Sequence, residues 1–107
     1  MTREKNQPKN PDPAQLQLLI SLFNQGKLHK ALTLSSNLLQ RYPRSASLHN
    51  FHGIVCAGLG KLESAQSSYS RATELQPDFV DAYSNLANTQ IQSGKLPDAG
   101  ATFRKIA

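Results

Sequence analysis

The feature that most constrains this chain is a near-repetition every 34 residues, in which small residues and a proline return in fixed order. Gly26, Ala31 and Pro43 come back as Gly60, Ala65 and Pro77, and Gly94 and Ala99 follow before the chain stops. A period of this length marks a stack of equivalent supersecondary units, none of which can bury its apolar face alone. The repetition places the units at residues 12–45, 46–79 and 80–107, the last one cut short, behind a leader at residues 1–11.

Each unit reads as two helices. An apolar stretch of helical period is followed by a break at Gly26-Lys27, Gly60-Lys61 or Gly94-Lys95, and then by a second apolar stretch. Glycine just past a helix end supplies the left-handed conformation that closes it. In the second half of the middle unit, Leu62, Ala65, Tyr69, Ala72 and Leu75 follow three- and four-residue spacing and form one stripe. Ala31, Ala65 and Ala99 are expected where two helices come too close for a larger side chain. Pro43 and Pro77 end the second helices and turn the chain, whereas Pro97 falls in the first turn of the last helix, where a missing N–H is harmless.

In register, Leu18 and Leu86 share the seventh place, Gly53 and Ala87 the eighth, and Tyr69 and Phe103 the twenty-fourth. This pattern resembles the tetratricopeptide repeat, with an aromatic, then Leu-Gly, then Tyr in the first helix, and Ala, an aromatic, Ala and Pro in the second. The resemblance implies an all-α fold, an α-solenoid of three antiparallel helix-turn-helix hairpins forming a short right-handed superhelix. The stretch from Asp81 to Asn88 is further similar to the bacterial-type repeats that precede protein O-glycosyltransferase domains, in which an asparagine at the place of Asn85 lines the inner face.

Composition fits such a domain. The chain has 107 residues and a single cysteine, so no internal disulfide framework is possible. Its longest apolar run, near Leu16 to Phe23, falls short of the roughly 18 residues of a membrane span, and the leader lacks the apolar core of a secretory signal. A cytoplasmic location is the expectation, with the Pro-, Lys- and Asn-bearing leader disordered. The formal charge of +5 belongs to the first half, where residues 1–53 hold seven Lys/Arg against two Asp/Glu while residues 54–107 hold five of each. That asymmetry raises a nucleic-acid adaptor as one reading. Arg3, Lys5, Lys9, Lys27, Lys30, Arg41 and Arg44 are, however, scattered over tail, turn and helix, and no RNA-type aromatic motif accompanies them.

Catalytic patterns are not apparent, and no enzymatic activity or cofactor is expected. The glycines fall at repeat places rather than between a strand and a helix, so they make no phosphate loop. His49, His52 and Cys56, spaced three and four apart, are a possible zinc or copper donor set. Because the repeat assigns their places to the space between helices, they are expected in the core, with no metal.

The expected function is therefore protein–protein interaction, without membrane or nucleic-acid partners. The resemblance implies that the first helices line the concave side, presenting Leu16, Ile20, Phe23 and Asn24 from the first unit, Asn50 and Ile54 from the second, and Asp81, Ser84, Asn85, Asn88, Ile91 and Gln92 from the third. This face opens apolar and becomes amide-rich, and amides can hydrogen-bond an extended peptide as both donor and acceptor. The cations with which the chaperone-binding branch of the family clamps a terminal carboxylate are missing, because Leu16, Ile20, Ser84 and Asn88 take their places. An alternative is the docking domain of a larger transferase, with this chain its amino-terminal piece. Leu96, Phe103 and Ile106 are expected to leave an apolar patch on the unfinished last unit, covered either by further chain or by self-association.

Overall fold

The computed structural model describes residues 8–106, which form six α-helices: α1 Pro13–Asn24, α2 Leu28–Arg41, α3 Ala46–Gly58, α4 Leu62–Leu75, α5 Val80–Gln92 and α6 Leu96–Arg104. They pair as three hairpins, α1 with α2, α3 with α4 and α5 with α6, in a body of 45 × 35 × 18 Å. The fold is an all-helical repeat solenoid.

The turns inside the hairpins show why the period begins at glycine. Gly26, Gly60 and Gly94 have φ of 77°, 78° and 77°, the left-handed region where a side chain would be strained. At each turn the glycine N–H and the following lysine N–H bond back to the last helical turn: Gly26 to Phe23 O at 3.0 Å and Lys27 to Leu22 O at 2.9 Å, Gly60 to Ala57 O at 3.0 Å and Lys61 to Cys56 O at 2.9 Å, Gly94 to Ile91 O at 3.0 Å and Lys95 to Gln90 O at 2.8 Å. This is the Schellman arrangement, which satisfies carbonyls that a helix end leaves without partners. The carbonyls of Lys27, Lys61 and Lys95 then accept from Ala31, Ala65 and Ala99 at 3.0 Å and start the second helix. Two residues thus reverse the chain, and the same two positions do so in every repeat.

Ala31, Ala65 and Ala99 are all buried, as close helix contact requires. Gly53 marks an even tighter approach: a Cβ there would stand 2.6 Å from Cε1 of Tyr69, a ring that is itself buried between α3, α4 and α5. One apolar cluster joins Leu19, Ala31, Leu38, Leu48 and Val55 across α1, α2 and α3. A second joins Cys56, Ala65, Tyr69 and Leu86 across α3, α4 and α5. Each cluster spans a hairpin and the first helix of the next, so the core is continuous from repeat to repeat.

Two expectations change. Leu18, aligned with Leu86, is exposed, and its neighbour Leu19 is fully buried instead. The seventh place packs on the preceding hairpin, as Leu86 does on Tyr69, and no described hairpin precedes α1. The leader also does not end where helical repetition begins. Pro11 is buried, and Ser45 donates a hydrogen bond from its hydroxyl to Asn10 Oδ1 while accepting one from Leu48 N at 3.2 Å at the start of α3. The polar leader is therefore tied at Asn10 to the residue that caps α3. Its residues 1–7 lie outside the described part.

Candidate functional site

α1, α3 and α5 lie side by side in one layer with α2, α4 and α6 behind them. α3 touches α5 directly, and α1 reaches α3 through Phe23 and Phe51. The side chains nominated for the inner face all come from this layer. Ile20, Asn24, Asp81, Asn88, Ile91 and Gln92 are exposed, whereas Leu16, Phe23, Asn50, Ile54, Ser84 and Asn85 are half-buried.

Half-burial has identifiable causes. Phe23 meets Phe51 of α3 edge to face, with ring centroids 5.6 Å apart, which closes the space between the first two repeats. Ile54 packs against the Cys56–Tyr69 cluster. Asn85 donates from Nδ2 to Asn50 Oδ1 at 3.0 Å, linking α5 to α3. The amide pair keeps the Asn50 N–H donors and the Asn85 carbonyl available for other partners. Sequence reasoning nominated both residues but not their contact, because fifth and sixth places of successive repeats are 35 residues apart in the chain.

The residues weighed as metal donors are used otherwise. His49 donates from Nε2 to the carbonyl of Pro43 at 2.8 Å, on the outside of the turn before α3 rather than in the core where the repeat pattern placed it. His52 lies half-buried across the first joint, with Nδ1 2.6 Å from Ser35 Oγ. Ser35 also bonds to the Leu32 carbonyl at 3.1 Å, and when the hydroxyl proton goes there, Nδ1 of His52 carries the hydrogen between them. Burial lowers the pKa of His52, and nearby His49 lowers it further. Cys56 is buried, and burial raises its pKa despite the opposing charge of Lys61. Tyr69 is pushed up to about 12, by burial first and by Cys56 second, against a smaller lowering by a hydrogen bond with Thr89. Among the described residues no three His, Cys, Asp or Glu side chains are grouped to hold a metal.

Side chains also knit the second joint. Gln66 donates from Nε2 to Ser93 Oγ at 2.9 Å, and Lys95 Nζ lies 3.4 Å from Glu63 Oε2 and 3.3 Å from Gln66 Oε1. Within the last hairpin, Thr102 donates to Gln90 Oε1 at 2.8 Å, so Gln90 replaces the family's tyrosine with a polar link. Every buried side-chain nitrogen and oxygen among the described residues has a partner. No described helix is long and apolar enough to cross a membrane.

Comparison with known proteins gives one coherent answer. Residues 53–94 match the family model described as TPR repeat. No curated protein sequence matches the chain. Among solved structures, MamA from Desulfovibrio magneticus RS-1 is similar with a TM-score of 0.83 at 18% identity, covering 87% of this chain and 52% of that one. The TPR2B domain of yeast Sti1 in its pHsp70 complex gives 0.83 at 22%, covering 87% and 74%. The Sgt2 TPR domain from Aspergillus fumigatus gives 0.83 at 19%, covering 92% and 68%. At these identities the likeness is one of fold, and the chain spans about half the length of that MamA structure. Residues 53–94 match the repeat model and the same helical hairpin recurs on either side of them, so the chain has the fold of tetratricopeptide-repeat proteins.

Proposed function

We propose that this chain is a protein-interaction scaffold that takes a peptide or protein segment against the inner face of α1, α3 and α5. The observation that carries the reading is the set of side chains this layer leaves unused by internal packing. Exposed Ile20 and Ile91 can bury apolar side chains of a ligand, and exposed Asn24, Asn88 and Gln92 can bond its backbone. The Asn50–Asn85 bond supports it further, because it holds two amides in place before a ligand arrives. The Sti1 structures, described as pHsp70 and pHSP90 complexes, show the same fold in partner-bound proteins. Chaperone tails are not the proposed ligand, since Leu16, Ile20, Ser84 and Asn88 supply no cation for a terminal carboxylate.

The test is selection of binders from a displayed library of extended peptides, followed by affinity measurement on inner- and outer-face variants. Asn88→Ala and Ile91→Asp are expected to weaken selected peptides about tenfold or more, the order of one lost hydrogen bond or apolar contact. Thr33→Ala and Ser67→Ala, on the outer surfaces of α2 and α4, should leave affinity unchanged. The reverse pattern would move the ligand to the outside of the solenoid.

Docking to, or within, a larger transferase is a special case of this function, supported by the similarity of residues 81–88 to such repeats. A nucleic-acid adaptor is less well supported, because Lys9, Lys27, Lys30, Arg41 and Arg44 are dispersed over leader, turns and α2. A second reading has a specific observation behind it: Leu96 and Phe103 are exposed and Ile106 is half-buried, which supports self-association through the carboxy-terminal face.

A further inference from the structure

Charge is divided unequally between the two sets of helices. α1, α3 and α5 are 12, 13 and 13 residues long, and Asp81 is their only Asp, Glu, Lys or Arg. α2, α4 and α6, at 14, 14 and 9 residues, carry seven. Burial does not account for the difference. α1 exposes Gln17, Ile20, Ser21 and Asn24, and α5 exposes Asn88, Ile91 and Gln92, on the kind of water-facing surface where helices ordinarily carry charged residues. The two histidines of α3 are engaged internally, His49 with the Pro43 carbonyl and His52 with Ser35.

The net charge of +5 by itself would draw an acidic partner, but its sources lie off this layer. Lys27, Lys61 and Lys95 stand at the hairpin turns, and Lys30 and Arg41 on α2. An acidic side chain laid across α1, α3 and α5 would give up hydration and find no cation in exchange. A lysine or arginine has one counterpart, Asp81 in the first turn of α5. What the layer offers otherwise is apolar contact at Ile20 and Ile91 and amides that bond without regard to charge. The Asn50–Asn85 bond leaves N–H donors on the first amide and a carbonyl acceptor on the second.

We infer that the segment bound on this face is uncharged: an extended stretch of aliphatic, hydroxyl and amide side chains without Asp or Glu, whose single place for a charge is a lysine or arginine against Asp81. The inference rests on the inner-face reading proposed above and adds the chemistry of its ligand. Exclusion of acidic segments is its stronger half, because a desolvated charge without a partner discriminates more than an exposed ion pair attracts. The same chemistry makes binding insensitive to salt, unlike binding governed by net charge.

The peptides selected from the displayed library test this by their composition and salt dependence. Asp and Glu are expected to be depleted relative to the starting library. Raising sodium chloride from about 0.05 to about 0.5 M should change the affinity of uncharged peptides by less than about twofold. Glutamate in place of a central residue of a selected peptide should weaken it about tenfold, and glutamine at the same place far less. In peptides that carry a cation, Asp81→Asn should abolish the advantage of lysine over glutamine, about two- to fivefold for an exposed ion pair. Selected peptides rich in Asp or Glu that Asn88→Ala weakens would overturn the inference and leave the inner-face reading standing. Peptides indifferent to both Asn88→Ala and Ile91→Asp would remove that reading, and the inference with it.

Discussion

His49, His52 and Cys56 occupy one helix and meet three different environments, and at the residue scale those environments decide their chemistry. His49 bonds a carbonyl outside the core, His52 faces a serine across a joint, and Cys56 is sealed with its pKa raised by burial. The consequence of the lowered pKa of His52 can be worked out in sign. The unfolded chain takes up the proton first, near the ordinary pKa of about 6.5, so it binds more protons than the native state in the window just below that value. Stability is therefore complete above this window and falls as pH drops through it. Urea denaturation at pH 7.5 and pH 5.5 should show a lower midpoint at the acidic value, and His52→Leu should reduce the difference. An unchanged pH dependence in the variant would assign the drop to other groups.

At the scale of elements, the fit of α3 on α4 depends on the absence of a side chain at Gly53. Gly53→Ala would gain helix propensity of about 1 kcal/mol. It would also place a methyl carbon 2.6 Å from a tyrosine ring that is buried against α5 and has little room to retreat. Overpacking of this kind costs roughly 1–3 kcal/mol, so the net change is expected to be a loss on the order of 1 kcal/mol, read as a lower urea midpoint. A gain in stability would mean that the ring swings away freely. Much of this element pairing was legible in the sequence, because Gly53 and Ala87 share a place and Tyr69 lies at the matching place of the second helix. The contact of Asn50 with Asn85 was not. A repeat reports which positions are equivalent, whereas a hydrogen bond between different places of successive repeats depends on how closely the hairpins approach.

For the whole molecule, stability should grade along the stack, since in a solenoid each repeat contacts only its neighbours. α3, α4 and α5 are packed from both sides, while α1 and α6 each lack a neighbouring hairpin among the described residues. Amide exchange is expected to be slowest in α3 to α5 and fastest in α6, where Phe103 and Leu96 remain exposed. Slower exchange in α6 than in α4 would contradict a stack that frays from its ends.

The sequence by itself determined the three hairpins, their glycine-capped turns and the small residues where helices touch. These follow from local backbone geometry, which each 34-residue unit carries within itself. Only the tertiary structure decided which equivalent positions are buried. Leu18 and Leu86 hold the same place in the repeat, yet one is open and the other packed, because burial depends on the neighbour that stacks against a position. For the same reason His49 left the core, Asn10 was drawn to Ser45, and Phe103 stayed exposed where Tyr69 is covered.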